Sequence, residues 1–316
     1  MLRILYEHTF PPKPVFNTEA IPNLKDRVVI VTGGNSGIGK ETIRVLLLHN
    51  ATVYMACRNV EKAQDAIVEL KNETGKEAIF LELDLSSVAS IRAAAEKFLR
   101  KEKELHILYN NAGIISTPME QLTEEGYDLV FGTNVLGHHL FTTLLLPALA
   151  EGASSSPDQH TRVIWVSSIA AYFTPTIHWN TLRDGPERRK VGKGTLYNQS
   201  KLAAVILARQ YAKRYADRNI VSFSVDPGII RTDIMRHVSR TRRTVIGIFM
   251  KPVSYGALTQ LWAGTMPETL KHNGEYLIPW ARIGDPCRKE AYDDELGQRL
   301  WQWLEKEISE NHSQHS

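Results

Sequence analysis

The chain has 316 residues, 43% of them hydrophobic, and a formal net charge of +3. That length holds one large α/β domain or two smaller ones with a sizeable core, and the charge is too small and too evenly spread to argue for a nucleic-acid partner. Cys57 and Cys287 offer neither a disulfide framework nor metal-ligand spacing, so they read as free thiols of a reducing compartment, with a cytoplasmic location and no metal expected.

Residues 1–24 carry Pro11, Pro12, Pro14 and Pro22 and read as an extended arm rather than a domain. Their start lacks the long apolar core of a signal peptide. The fold proper is expected over 25–316 as a single domain. It opens with a continuously apolar strand at 28–31, the kind buried on both faces of a parallel sheet. The strand runs into Thr32-Gly33-Gly34-Asn35-Ser36-Gly37-Ile38-Gly39 and then a helix over 40–49. Strand, glycine loop and helix together form the setting a phosphate-binding loop needs. Gly33 serves the tight turn, Gly37 the close approach of backbone to a pyrophosphate, and Gly39 the helix packing. The helix N-terminus faces the anion.

The pattern then alternates. Strands are predicted at 52–56, 78–83, 105–109, 162–166, 221–225 and 276–278. Helices are predicted at 60–73, 88–101, 125–149 and 196–216. Such alternation implies a parallel sheet with helices on both sides. The apolar stretch 140–150 contains two threonines and a proline and reads as a buried helix, being too short for a membrane span. Leu296, Leu300, Trp301 and Leu304 at helical spacing predict a terminal helix over about 290–308.

Tyr197 and Lys201 stand one helical turn apart, at the head of an apolar run. Residues at i and i+4 share a helix face. A nearby ammonium favours phenolate, so Lys201 is expected to pull the phenol below its ordinary pKa of about 10. A phenol tuned this way exchanges a proton near neutral pH. His138 and His139, adjacent on a helix, read as packing or surface residues.

With these motifs in place, the chain resembles the short-chain dehydrogenase/reductase family over most of 26–280. Thr32 to Gly39 is similar to that family's cofactor loop, Asp84 to its adenine-contacting Asp, and Asn110-Asn111-Ala112-Gly113 to the motif after its fourth strand. Asn134, Ser168, Tyr197 and Lys201 resemble its catalytic set, and Asp226-Pro227-Gly228 its Pro-Gly motif. The residues alone do not separate Ser167 from Ser168, and the resemblance selects Ser168. Ala56-Cys57-Arg58-Asn59 and Tyr-x-x-Ser-Lys-Leu-Ala look most like the retinol-dehydrogenase-like branch, which includes fungal enzymes of secondary metabolism.

The resemblance implies a Rossmann-type doubly wound parallel sheet and hydride transfer between a nicotinamide and a carbonyl or alcohol carbon. Tyr197 is then the proton donor or acceptor, and Lys201 tunes it and holds the ribose. Ser168 orients the carbonyl oxygen, and Asn134 holds a relay water. The implied cofactor contacts are Gly33, Asn35, Ser36, Gly37, Ile38, Gly39, Arg58, Asp84, Leu85, Asn111, Ala112, Gly113, Tyr197, Lys201, Pro227, Gly228, Ile230 and Thr232. Arg58, with no acid at the end of its strand, points to NADP(H) over NAD(H), because a guanidinium matches a phosphate bidentately. Substrate walls are expected from Ile114, Ile115, Tyr172 and Phe173 and from a lid over about 229–255, which suits a hydrophobic ketone, aldehyde or alcohol. The excursion 169–195 is longer than is common in the family, which bears on the local substrate geometry. A homo-oligomer fits the family. The alternative reading is a catalytically silent protein that senses NADP(H) or regulates a partner.

Overall fold

The first strand, β1 (Val28–Thr32), alternates its side chains between two cores, and this sets the architecture of the computed structural model, which describes residues 2–231, 250–284 and 287–313. Val29 and Val31 pack with one buried cluster and Ile30 with the other. The strands that follow are β2 (Thr52–Cys57), β3 (Ile79–Glu82), β4 (Ile107–Asn110), β5 (Thr161–Val166), β6 (Ile220–Val225), β7 (Tyr276–Ile278) and β8 (Arg282–Ile283). They form one sheet in the order β3-β2-β1-β4-β5-β6-β7-β8, parallel except for the β7–β8 pair. The order reverses between β1 and β4. In open α/β sheets the crevice beyond the strand ends at such a point is where ligands bind.

Helices cover both faces. On one lie α2 (Gly37–Leu48), α3 (Val60–Thr74) and α7 (Val253–Thr265), around Ile43, Leu46, Ile67, Phe223 and Leu261. On the other lie α4 (Val88–Lys101), α5 (Leu129–Ser155), α6 (Pro186–Arg214) and α8 (Asp294–Ser313), around Phe98, Phe141, Leu202 and Leu300. The fold is thus the single-domain, doubly wound sheet that the alternation implies. Helix α5 is long and apolar enough to cross a membrane, but 78% of its most apolar window is buried inside the protein, which makes it a core helix.

Several elements depart from the sequence reading. The arm is not wholly extended: Leu2–Thr9 forms a helix, α1, stapled by an Arg3–Glu7 pair at 2.7 Å and ended before the prolines. Downstream, Ile21 and Leu24 are buried against the body. Helix α5 starts at Leu129 rather than 125, because the Asp128 side chain caps it by accepting the Phe131 amide at 2.9 Å. Helix α6 begins ten residues earlier than expected, with Pro186 in its first turn, and breaks at Gly192 (φ 79, ψ 155). Arg188, the first of three consecutive basic residues, is 1% exposed and bonds the Asp128 carboxylate at 2.8 Å. Helix α7 and strand β8 had no counterpart in the predicted elements. Residues 253–255, assigned to a lid, open α7, while 232–249 lie outside the described residues. The flanks of that segment are joined, since Ile230 pairs with Lys251 as a parallel bridge.

Candidate functional site

The ends of β1 and β4 are stitched together through Thr32. The amides of Asn111 and Ala112 both donate to Thr32 Oγ1 at 2.9 Å, and Asn111 Nδ2 donates to the Thr32 carbonyl at 2.8 Å. Gly33 has φ +66 and lies so close to this segment that an added Cβ would stand 3.0 Å from Ala112 Cα. A Cβ on Gly39 would come within 2.4 Å of the Gly33 carbonyl oxygen and 2.6 Å of Asn111 Nδ2. Any side chain at either position would close the cradle.

Ser36 caps α2 in extended backbone without a side-chain bond, so the first amides of α2 are left for another acceptor. Arg58, at the end of β2, is largely exposed and faces Asp84, at the end of β3, at 3.7 Å. Asp84 Oδ1 also accepts from the Ser86 amide and hydroxyl. A backbone cradle, an open helix N-terminus and an Arg and Asp along the strand ends fit a dinucleotide. Opposite the glycine loop, Ile230 and Ile38 converge on Gly256, where an added Cβ would meet each at 2.9 Å. Gly228 turns this second wall with φ +81. Thr232 lies outside the described residues.

Beyond the crevice, α6 presents Tyr197, whose phenol is near enough to the Ser168 side chain to be stabilised by it. Ser168 and Ser167 divide their work. Ser168 Oγ accepts from the Ala170 amide and reaches Tyr197, whereas Ser167 is buried and donates to the Lys201 carbonyl at 2.8 Å. Lys201 Nζ donates to the Val166 carbonyl at 2.8 Å and faces the Tyr197 ring 5.6 Å from its centroid.

The protonation balance differs from the expectation that Lys201 lowers the Tyr197 pKa. Although Tyr197 keeps a partly accessible edge, burial is the leading cause and pushes its phenol above the ordinary value. The neighbouring Ser168 side chain pulls it back, and the Asp226 charge pushes it further up. Lys201 itself is drawn down to about 8 by burial, against an opposing pull from Asp226. The phenol is therefore held as a proton carrier, and the ammonium is the group nearest to titration.

Asn134 lies in a π-helical turn of α5, Gly132–Gly137, a local widening that recurs at functional sites. Its Oδ1 accepts from the Ile114 amide at 2.9 Å, and its Nδ2 donates to the Ile114 carbonyl and to Ser200 Oγ, each at 3.1 Å. Ser200 in turn donates to the Tyr197 carbonyl at 2.7 Å. An added Cβ on Gly113 would stand 3.4 Å from Lys201 Nζ and 3.7 Å from Asn134 Oδ1, so Gly113 sits between the two.

His138, read from the sequence as a packing or surface residue, is buried and neutral, and its link to the site went unread. Burial draws its pKa down to about 4. Its Nδ1–H donates to the Asn134 carbonyl at 3.0 Å, which leaves Nε2 to accept from the Thr32 hydroxyl at 2.9 Å. It thus joins the π turn to the cradle, a link between residues 106 apart that helical spacing could not reveal. Asp226 was quoted only as the head of a Pro-Gly motif, yet it is 1% exposed and its charge acts on both Tyr197 and Lys201. Tyr172, expected on a substrate wall, is instead buried against His8 and Tyr276. Phe173 remains exposed. The long excursion after Ser168 lines a cleft of about 670 Å³ with Ile177, Trp179, Lys190 and Val191, which Arg299 of α8 completes.

A doubly wound sheet with this cradle at its reversal point defines a dinucleotide-binding protein. Residues 27–181 match the family profile described as short chain dehydrogenase. The chain is 53% identical over 306 residues to a short-chain dehydrogenase/reductase of Armillaria gallica, covering 97% of this chain and 98% of that one. It is 35% identical over 286 residues to human retinol dehydrogenase 11, covering 88% and 84%. Its fold superposes on the Pseudomonas aeruginosa RhlG/NADP active-site complex with a TM-score of 0.64 at 25% identity, covering 80% of this chain and 94% of that one. The chain belongs to the short-chain dehydrogenase/reductase family, and is an oxidoreductase that uses a nicotinamide cofactor on a small-molecule substrate.

Proposed function

We propose that this enzyme is an NADP(H)-dependent oxidoreductase of hydrophobic ketones or aldehydes and the corresponding alcohols. The observation that carries the reading is the Tyr197 phenol, held protonated by burial beside the Ser168 side chain. When bound, the nicotinamide supplies or accepts the hydride. Tyr197 gives its proton to the nascent alkoxide in reduction and takes it back in oxidation. Ser168 bonds the same oxygen and orients it. Lys201, the group nearest to titration, resupplies the phenol, and Asn134 and Ser200 hold the backbone around it. With the cofactor bound, Gly33, Asn35, Ser36, Gly37, Ile38 and Gly39 would receive the pyrophosphate, Asp84 and Leu85 would flank the adenine, and Asn111, Ala112 and Gly113 would close the ribose side. Pro227, Gly228 and Ile230 would face the nicotinamide. Arg58 supports the NADP(H) preference, since the end of β2, Ala56-Cys57-Arg58-Asn59, supplies no acid of its own and a guanidinium suits a 2′-phosphate. The NADP in the RhlG complex and the retinol named for the human relative agree with this direction.

The test is NADPH consumption against a panel of hydrophobic ketones and aldehydes, including retinal, with Tyr197→Phe as the comparison. Turnover should fall by about 10²–10⁴-fold in the variant. Equal turnover in both removes Tyr197 as the proton donor. NADPH binding without turnover on any member of the panel favours a regulatory nucleotide-binder instead.

A further inference from the structure

His8 comes from the part of the chain that the sequence marks as an appendage, yet its imidazole is 3% exposed and faces the site. Nδ1 stands 2.6 Å from Asp226 Oδ2 across 218 positions of chain. The ring meets Tyr172 edge-on at 5.5 Å and lies nearly parallel to Tyr276 at 6.5 Å. Within α1, Glu7 pairs with Arg3 at 2.7 Å. His8 thus brings the end of α1 against Asp226, just past β6, and Tyr276 of β7, where the second wall of the crevice begins.

Asp226 is the pivot of that wall. Its Oδ2 meets His8, and its Oδ1 accepts the Gly228 amide at 2.8 Å, closing a three-residue turn in which Gly228 takes φ +81. Tyr276 faces the same carboxylate, with its phenol pushed well above its usual range by burial and by the Asp226 charge. A carboxylate withdrawn from water holds its conformation only while its lone pairs are bonded. Without a donor at Oδ2, the side chain would turn to find one and the bond to Gly228 would loosen. Residues Pro227, Gly228 and Ile230 follow directly from this turn, and Ile230 is the residue that meets Ile38 of the glycine loop over Gly256.

We infer that His8 is a positioning residue for the nicotinamide side of the site: by holding Asp226 it fixes the turn 226–228, and with it the wall against which the cofactor is received. The inference rests on the assignment of that wall to the nicotinamide in the proposed function. Neither the imidazole nor α1 need touch the reacting atoms.

Two substitutions test it. His8→Phe keeps a ring of similar size but has no donor. His8→Asn places an amide N–H near the position of Nδ1. The nicotinamide half is common to NADH and NADPH, so the experiment uses whichever nucleotide the wild-type enzyme binds more tightly. Its Kd is followed by fluorescence titration, KM and kcat by turnover, and amide exchange at Gly228 by hydrogen–deuterium exchange on the free protein. In His8→Phe, Kd and KM should rise about tenfold, the loss of one hydrogen bond to a buried charge. There kcat should change less than about threefold, and exchange at Gly228 should quicken by a similar tenfold factor. His8→Asn should return each quantity to within about threefold of wild type.

Wild-type Kd and exchange in His8→Phe overturn the inference, because the ring then only packs. A fall in kcat with unchanged KM overturns it as well, as does failure of His8→Asn to restore nucleotide affinity. Tyr197→Phe separates this result from the proposed function. If that variant turns over like wild type, the proton-donor assignment fails, while the effect of His8 on nucleotide affinity and Gly228 exchange is read independently of turnover.

Discussion

Lys201 sits where water cannot stabilise its charge, and its ammonium donates to the Val166 carbonyl. Free lysine keeps its proton to about 10.4, whereas folded Lys201 releases it near 8. Between these values the unfolded chain binds more protons than the native one, so this residue makes stability rise with pH across the window from about 8 to 10.5. Below pH 8 its buried charge is a net cost. Lys201→Met should therefore be more stable than wild type at pH 7, by about 1 kcal/mol or more, and the difference should close towards pH 10 while turnover is lost. Thermal unfolding of both proteins across that range checks it, and a less stable variant at pH 7 would sink the argument. Arg58 makes the opposite case, an exposed charge with little structural work. Arg58→Ala should leave stability within about 0.5 kcal/mol and lower the ratio of kcat/KM for NADPH over NADH by tenfold or more, as expected when a guanidinium–phosphate pair is lost. An unchanged ratio would show that Arg58 does not select the cofactor.

At the scale of elements, the buried Arg188–Asp128 pair joins the first half of α6 to the start of α5. Both side chains are 1% exposed, and Arg188 also donates to the carbonyls of Met119 and Gln121. Removing one partner strands the other charge, so Arg188→Met should cost about 3–5 kcal/mol. Arg188→Met with Asp128→Asn should recover part of that loss, because the asparagine oxygen still caps α5 and no charge is stranded. Chemical unfolding of the two variants decides it, and equal losses would refute the stranded-charge account. These elements also show what sequence could carry. The strand, glycine loop and helix at 28–48 were legible because each part constrains the next within about twenty residues. Tyr197 and Lys201 were legible because one helical turn brings them together. Helix α7 was not, since nearly all of it is buried and an element buried all round shows no amphipathic stripe. Helix α1 was obscured by the prolines that follow it. The partnership of His138 with Thr32 and of His8 with Asp226 depends on tertiary contacts that no local spacing encodes.

For the molecule as a whole, the sheet separates two cores and the site lies at its edge between them. One core packs α2, α3 and α7, the elements nearest the glycine loop, and the other packs α5 and α6, which carry Asn134, Tyr197 and Lys201. The crevice therefore draws its parts from both sides of the sheet, and β1 and β4 hold them in register. The contact between His8 and Asp226 adds a consequence in time. His8 leaves the ribosome first and its partner follows 218 residues later, which at about 5–20 residues per second is a wait of roughly 10–40 s. An eight-residue helix is marginal by itself, so α1 takes its shape only when the far edge of the sheet exists to receive it. The bonds joining Thr32 to Asn111 and Ala112 need nothing beyond residue 113, and His138 adds its bond to Thr32 soon after. During synthesis the protein can thus assemble its grip on the pyrophosphate early, and completes the opposite wall among its last acts of folding.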